Sequence, residues 1–281
     1  MYHRVVVVTD STASLPPEVA AKAGVVVVSQ EVTVDGRYID DERLTTAQLA
    51  EALRGGVPVR TNPPPPPAFY WAYQDAVAGG AEAIVSVHVS GRISATCQAA
   101  RAAAEQVRVP VHVVDSGTVG MSLGFAALSG AEAAEGGAGA DAVVGIVRQR
   151  LATTLGLTYV QTLEFLRRGG RVSAARAWLG MTLGIRPLLG LQGGEPYVVE
   201  RLRGGDDRAI VRLADLAGAH AGRHLVDVAV EHFDAYTPAM RLATRLQARI
   251  PNRRAFHLVE TSAVLGVHSG PGALGIAVSR C

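Results

Sequence analysis

Short valine-rich runs alternate with helical stretches along the first half of the chain. A continuous β-branched run is typical of a strand buried on both faces of a parallel sheet. Alternation of such strands with helices predicts an α/β fold. The predicted strands are residues 5–8, 25–28, 84–89 and 111–114, and the predicted helices are residues 18–23, 45–53, 69–77 and 96–104.

The second half continues this alternation after a glycine-rich break at residues 136–139. Residues 142–150 follow the break, and we expect one domain at residues 1–150 and a second at residues 151–281. Residues 264–267 predict a strand that gives way to a glycine-rich turn. The other predicted strands are residues 158–160, 186–191, 196–202, 226–232 and 255–260, and the helices are residues 163–168, 210–221 and 238–250.

The strands predicted in the first half end in polar turns. Ligands of a parallel sheet collect outside the carboxyl ends of its strands, and the unpaired amides at a helix N-terminus attract anions. The turn after residues 84–89 therefore predicts an anion site, with simple capping of the next helix by Ser94 as the alternative. The residues of these turns are Asp10, Ser11, Thr12, Ser90, Gly91, Ser94, Thr96, Asp115, Ser116 and Thr118.

A run of five prolines, residues 63–67, follows Thr61 and Asn62. Consecutive prolines favour a rigid polyproline coil and cannot continue a sheet ladder. We therefore expect this run to fix Thr61 in space.

The composition narrows the function classes. The chain has 281 residues, 48% hydrophobic and 19% charged, as in folded soluble proteins. Its net charge of +2 gives no sign of a nucleic-acid partner. Two distant cysteines, Cys97 and Cys281, predict neither a disulfide framework nor a zinc site. No apolar run approaches the roughly 20 residues of a membrane span, and no signal peptide is evident. We expect a cytoplasmic protein without a metal or other cofactor.

Two glycine motifs match known patterns but lack the required context. Residues 120–124 match the nucleophile elbow around Ser122, yet the preceding predicted strand stops too early to run into it. Residues 270–275 match the dinucleotide fingerprint, yet only six residues follow, too few for the required unit. His88, His112 and His257 are interpreted as packing or surface residues. His268, beside the glycine turn, is an open candidate for a site.

Seven short segments, in this order, resemble the DegV family, which includes the fatty-acid-binding subunits of the bacterial fatty acid kinase system. The resemblance covers essentially the whole chain. The segments are residues 8–16 (VTDSTASLP), 60–63 (RTNP), 90–96 (SGRISAT), 114–116 (VDS), 163–173 (LEFLRRGGRVS), 185–187 (IRP) and 266–275 (GVHSGPGALG).

The resemblance implies two α/β domains, an N-terminal parallel sheet with flanking helices and a C-terminal mixed sheet with helices, and a lipid tunnel between them. It implies a carrier without complete catalytic machinery that buries a long, palmitate- or oleate-like acyl chain. Thr61 and Ser94 would hold the ligand carboxylate, with His268 close by, while a separate kinase phosphorylates it. Transient membrane contact fits such a role. Site-lining or kinase-docking candidates are Asp10, Ser11, Thr12, Asn62, Ser90, Gly91, Thr96, Arg171, Arg201 and Arg203.

The chain departs from the family pattern at Asn62, Pro63, Gly91, Ala95 and Cys97. These differences affect which acyl chain fits and how the head group is covered. One alternative function is a serine hydrolase that uses Ser94 or Ser122 with His268 and either Asp115 or Asp10. Another is a lipid sensor that signals through a partner protein.

Overall fold

The computed structural model describes residues 4–171 and 185–281, so Val172 and Ser173 of the 163–173 segment lie outside it. Its strands are β1 (Val5–Asp10), β2 (Val26–Val28), β3 (Glu31–Val34), β4 (Arg37–Asp40), β5 (Val59–Asn62), β6 (Ala83–His88), β7 (Val111–Asp115), β8 (Thr154–Tyr159), β9 (Arg186–Gln192), β10 (Glu195–Leu202), β11 (Val226–Phe233), β12 (Arg253–Glu260) and β13 (Ala273–Arg280). Its helices are α1 (Pro17–Lys22), α2 (Thr46–Arg54), α3 (Pro66–Ala78), α4 (Thr96–Ala104), α5 (Met121–Glu135), α6 (Ala140–Ala152), α7 (Glu164–Arg168), α8 (Gly205–Ala221), α9 (Tyr236–Arg249) and α10 (Ala263–Ser269).

A four-stranded parallel sheet in the order β2-β1-β6-β7 forms the N-terminal layer. Its valines alternate between two faces. Val7 and Val85 pack with α5 and α6 on one face, whereas Val8 and Ile84 pack with α3 and α4 on the other. The predicted parallel sheet with flanking helices is confirmed, and its strands are the four predicted from the valine-rich runs.

A six-stranded mixed sheet in the order β10-β9-β8-β13-β11-β12 forms the C-terminal layer. Its neighbours pair antiparallel except β11 and β12, which pair parallel. Helices α8 and α9 cover one face. Met121 and Phe125 of α5 pack against Ala229 and Ala277 on the other. The mixed sheet is confirmed, and α5 lies between the two sheets.

A three-stranded antiparallel sheet, β4-β3-β5, was not predicted. Its residue Val32 packs with Leu49 and Leu53 of α2 and with Leu166, Phe233 and Val264 from the C-terminal half. This segment, which carries Thr61, therefore shares a hydrophobic core with the C-terminal half. The division into domains at residue 150 stays a prediction.

The prediction of a strand at residues 264–267 is wrong, because these residues belong to helix α10. Ser262 caps this helix by accepting a hydrogen bond from the Leu265 amide. A short apolar run does not separate a buried strand from a buried helix by its pattern. The coil predicted for all five prolines is wrong in part, because α3 begins at Pro66, where the missing amide hydrogen of proline costs nothing.

The two rejected glycine motifs have other structural roles. Ser122 lies in the first turn of α5, seven residues after β7 ends at Asp115, so no strand runs directly into it. Gly270 ends α10, and Ala273 begins β13. The structure thus agrees with the rejection of a nucleophile elbow and of a dinucleotide site.

Over residues 4–171 and 185–281, no helix combines the length and apolar character that crossing a membrane requires. In the same part of the chain, no three His, Cys, Asp or Glu side chains are grouped to hold a metal ion.

A buried ion cluster joins α6 to the mixed sheet. Arg150 of α6 pairs with Asp227 of β11 and donates to the carbonyl of Arg280, and both partners of the pair are almost fully buried. Arg254 donates to both oxygens of Asp227, at 3.0 and 2.7 Å, and also pairs with the exposed Glu132. Asp227 therefore balances two cations at the junction of the two halves.

We expect Asp227→Asn to lower the free energy of unfolding by about 3–5 kcal/mol, because it leaves the buried Arg150 without its counter-charge. The control Glu132→Gln removes an exposed partner of Arg254 and should cost about 1 kcal/mol or less. Urea unfolding followed by circular dichroism measures both. Equal effects for the two variants would contradict the importance of the buried pair.

Candidate functional site

Two adjoining cavities lie between the mixed sheet and the loops that follow the parallel strands. The smaller, the polar cavity, measures about 30 Å³ and is lined by Thr12, Gln30, Thr61, Asn62, Pro63, Val89, Ile93, Ser94, Arg171, Val264, Leu265 and His268. The larger, the apolar cavity, measures about 130 Å³. Ile93, Arg171, Leu265 and His268 line both. A ligand with a polar head and an apolar tail could therefore occupy both together.

Thr61 and His268 meet across one wall of the polar cavity. Thr61 lies on β5, paired with Val32 of β3, and β5 ends just before the proline run. His268 lies in the last turn of α10, and its Nε2 is 2.9 Å from Thr61 Oγ1. Gly169 lies directly behind the imidazole, where a Cβ would overlap with Nδ1. Gly169, which ends α7, thus lets His268 reach this position.

The charge state of His268 determines what Thr61 can offer a ligand. Burial lowers the pKa of His268 to about 3, and the positive charge of Arg171 acts in the same direction, so the ring is neutral at pH 7. Nδ1 is buried and has no hydrogen-bond partner among the described residues. A hydrogen on Nδ1 would be unsatisfied there, which favours the tautomer with the hydrogen on Nε2. His268 then donates to Thr61, and the Thr61 hydroxyl hydrogen can point into the cavity.

Ser94 approaches the same cavity from the turn between β6 and α4. Its Oγ lies 2.8 Å from Thr96 Oγ1. The N-cap position of α4 is Ala95, without a side-chain cap, and the Thr96 amide contacts Ser94 Oγ only at 3.4 Å. Helix capping therefore does not account for Ser94, whereas its place in the cavity wall fits a ligand contact.

Arg171 lies where the two cavities meet. Its Nε donates to the carbonyl of Ile93 at 3.3 Å and its Nη1 to the carbonyl of Gly169 at 2.7 Å. Within the described residues, no carboxylate forms an ion pair with it, and burial lowers its pKa. The guanidinium thus adds positive potential beside the polar cavity while its hydrogen bonds go to carbonyl groups.

Alternate residues of the mixed sheet form one wall of the apolar cavity. Side chains two positions apart along a strand share a face. The cavity face carries Leu189 and Leu191 of β9 and Phe233 of β11, and Gly156 and Gly275 of the neighbouring strands. Gly156 allows α5 to approach, since a Cβ there would lie 2.5 Å from Ser122 Oγ, whereas a Cβ on Gly275 would lie 3.2 Å from Glu231 Cβ.

One carboxyl group, Glu231 of β11, lies in the wall of the apolar cavity. Its Oε1 accepts the Met121 amide at the start of α5, at 3.0 Å. Gly120 adopts φ +63°, and a Cβ there would overlap with the carboxyl group. Burial raises the pKa of Glu231 to about 7, and hydrogen bonds from Met121 and Ser14 only partly oppose this.

The other predicted site residues have distinct positions. Thr12 and Asn62 line the polar cavity. Asp10, Ser11 and Thr96 are buried behind it. Ser90 donates to the carbonyl of Gly194 at 2.8 Å. The amide of Gly91 donates to Asp115 at 3.0 Å, and a Cβ there would lie 2.6 Å from the same carboxylate, which explains the glycine.

Arg201 and Arg203 line neither cavity. They lie in an open groove with Glu200, Asp207 and Arg208 beside the start of α8. The structure thus does not bring them to the polar cavity, and a docking role for them stays a prediction.

Three residues of functional interest were not recognised in the sequence. Gln30 follows the end of β2, a position that the rule on polar strand ends could have identified. His88 was interpreted as a packing or surface residue, but it is fully buried and bonds to Asp10 at 3.0 Å. Glu231 gave no signal, because its burial depends on the packing of α5 against β11.

The contacts do not form a serine-hydrolase triad. His268 bonds to Thr61, and among the described residues neither Ser94 nor Ser122 hydrogen-bonds to it. Asp10 bonds to His88, and Asp115 accepts the amides of Gly91 and Gly117. No described carboxylate orients the imidazole of His268, whose Nδ1 has no partner.

Comparison with known proteins places the chain among relatives of the same length. The family model of the DegV family, described as uncharacterised proteins, matches residues 4–280. A DegV domain-containing protein of Streptomyces coelicolor is 42% identical over 280 residues, 99% of each chain. A fatty-acid-binding DegV family protein of Thermus thermophilus superposes with a TM-score of 0.92 at 29% identity, covering 99% of this chain and 100% of that one. DegV of Bacillus subtilis, a fatty acid binding protein, gives a TM-score of 0.90 at 27% identity, covering 99% of each.

We expect Glu231→Gln to stabilise the protein more at pH 8.5 than at pH 5. A carboxyl group whose pKa is about 7 when folded and 4.5 when unfolded contributes stability below pH 4.5. That contribution is lost as the pH rises through 7, with a total change on the order of 3 kcal/mol. Thermal unfolding of both proteins across pH 4.5–9 measures the difference, in which the titration of His268 cancels. A difference independent of pH would contradict the assignment.

Proposed function

The chain belongs to the DegV family, and from that premise we propose that it is a fatty-acid-binding protein. The acyl chain occupies the apolar cavity, and the carboxylate occupies the polar cavity between Thr61, Ser94 and His268. The observation that carries the proposal is the junction of these two cavities at Ile93, Arg171, Leu265 and His268. The fatty-acid-binding relatives from Thermus thermophilus and Bacillus subtilis support it.

Burial of the acyl chain supplies the affinity. At ~0.8 kcal/mol per methylene, a palmitate-like tail gains on the order of 12 kcal/mol before the costs of binding. The apolar cavity, about 130 Å³, is smaller than the roughly 300–1,000 Å³ of typical small-molecule pockets. A palmitate- or oleate-like chain therefore has to displace lining side chains such as Leu189 and Leu191. The proposal needs no cofactor.

The head-group contacts suit a carboxylate that must remain reactive. An unpaired buried carboxylate is costly, and hydroxyl donors offset that cost. We propose that a separate kinase phosphorylates the bound carboxylate. An oxygen of the carboxylate attacks the γ-phosphorus of a nucleoside triphosphate, and the nucleoside diphosphate leaves, which yields an acyl phosphate. Neutral hydroxyls, in contrast to a bidentate arginine, leave the attacking oxygen nucleophilic, and the described hydrogen bonds of Arg171 go to carbonyls.

In this proposal the protein is a carrier that acts in the cytoplasm with a kinase partner, and not an enzyme. The groove with Arg201 and Arg203 is the proposed docking surface for the kinase. The serine-hydrolase alternative lacks support, because His268 is held by Thr61 and not by a serine.

We expect Thr61→Ala and Ser94→Ala each to weaken palmitate binding about tenfold or more, since each removes a hydrogen bond to a charged group. Isothermal titration with delipidated protein measures the dissociation constants. The matched control is Thr244→Ala, which removes an exposed hydroxyl on α9 that bonds only to its own helix.

Affinities in both variants that equal that of the control would contradict the carboxylate site. Stoichiometric labelling of either serine by a fluorophosphonate, dependent on His268, would instead favour the hydrolase.

A further inference from the structure

Behind Ser94 lies a chain of buried polar groups that the proposed contacts do not explain. We infer that Asp10, Gln30 and Thr96 form a hydrogen-bond relay that fixes Ser94 as a donor toward the ligand, so that the polar cavity selects an ionised carboxylate. This inference rests on the proposed function, because it assigns positioning residues to the same site.

Asp10 anchors the relay because it can only accept hydrogen bonds. It is fully buried at the end of β1. Its Oδ1 accepts from the amide and hydroxyl of Thr12 and from Gln30, and its Oδ2 accepts from His88 and from the Val89 amide at 3.1 Å. Burial alone would raise the pKa of Asp10, but the contact with His88 and the other hydrogen bonds outweigh it and lower the pKa. Asp10 is therefore an ionised carboxylate at neutral pH.

Behind Asp10, the side chains of His88, Ser86 and Tyr73 form a chain of hydrogen bonds that can all donate toward the Asp10 carboxylate. His88 Nε2 lies 2.6 Å from Ser86 Oγ, which lies 2.8 Å from the Tyr73 hydroxyl. Tyr73 can donate to Ser86, Ser86 to His88, and His88 through Nδ1 to Asp10. Every member is fully buried and each hydrogen has an acceptor, so this half of the network keeps Asp10 charged and in place.

Gln30 links Asp10 to Thr96 and so extends the hydrogen-bond network toward the cavity. An ionised carboxylate cannot donate, so the Gln30 atom facing it, at 2.9 Å, must be the amide nitrogen. The Gln30 main chain is held on both sides, since its amide donates to Ser11 and its carbonyl accepts from Asp41. The second hydrogen of the same nitrogen reaches Thr96 Oγ1 at 3.3 Å. The orientation of the Gln30 amide is thus set by Asp10.

Thr96 links Gln30 to Ser94, and its bond to Gln30 sets the direction in which its hydroxyl donates. Thr96 is fully buried, and its Oγ1 accepts from Gln30. Among the described residues, Ser94 Oγ, 2.8 Å away, is the only acceptor that its hydroxyl hydrogen can reach. Ser94 Oγ then accepts from Thr96, and its own hydrogen is left for the polar cavity. Thr61 reaches the same state through the donor Nε2 of His268. Both hydroxyls therefore present hydrogens, an arrangement that favours a head group that only accepts.

The test is a double-mutant cycle with palmitate as the ligand, measured by isothermal titration. We expect Gln30→Met, which keeps the length of the side chain but removes its donor, to weaken binding about five- to tenfold, part of the loss expected for one hydrogen bond to a charged group. In a Ser94→Ala background the same change should have no further effect, because the relay acts only through Ser94. Hexadecanol, which has the same chain length but no charge, should lose less than about twofold.

A second pair of variants tests the relay at Thr96. Thr96→Val removes the hydroxyl and should match Gln30→Met, while Thr96→Ser keeps it and should restore most of the affinity. If Gln30→Met does not fold to a cooperative native state, the two Thr96 variants still test whether the relay exists. Two results would overturn the relay while leaving the carboxylate site intact. One is a loss of palmitate affinity in the Gln30→Met/Ser94→Ala double variant that equals the product of the losses in the two single variants. The other is a loss of affinity in Gln30→Met that is as large for hexadecanol as for palmitate. Unchanged palmitate binding in Ser94→Ala alone would instead contradict the site itself.

Discussion

The proposed function depends on one physical constraint, the cost of removing a carboxylate from water. An acyl chain gains free energy from an apolar cavity, but its head group loses hydration unless donors replace water. In the proposed function the chain meets this requirement where two cavities adjoin. Leu189, Leu191 and Phe233 line the apolar cavity, and Thr61, Ser94 and His268 line the polar cavity. In the inferred relay, buried partners determine the direction of the hydrogen bonds of Thr61 and Ser94, so that both hydroxyls can act as donors.

The fold brings these donors together from distant parts of the chain. The turn after β6 supplies Ser94, and the small antiparallel sheet supplies Thr61 from β5. Asp10, an acceptor at the end of β1, lies behind Ser94. Helix α10 supplies His268, which is 207 residues from Thr61. The packing of β3 and α2 against α10 and Phe233 makes this contact possible. The core that joins the two halves therefore also holds Thr61 beside His268, which links the stability of the fold to the proposed site.

Much of the fold and part of the site could be predicted from the sequence. The four valine-rich strands were identified because β-branched residues are enriched in strands, a signal that residues 264–267, with a leucine and a glycine, carry less clearly. The family resemblance implied that Thr61, Ser94 and His268 share a site, and the structure places all three in the lining of the polar cavity. Their role as carboxylate contacts and the anion site at the polar strand ends stay predictions. The strands around Thr61 were missed because residues 31–40 and 59–62 are short and partly exposed. His268 was assigned to a strand end because Val264–Val267 fits either structure. Gln30 and His88 depend on contacts between β1, β2 and β6, which a pattern along the chain does not show.

The most direct test of the account is a crystal structure of the protein with bound palmitate. The account predicts both carboxylate oxygens in the polar cavity, within about 2.5–3.0 Å of the Thr61 and Ser94 hydroxyls, with the alkyl chain along Leu189 and Phe233. A carboxylate bound elsewhere, or an alkyl chain outside the apolar cavity, would contradict it.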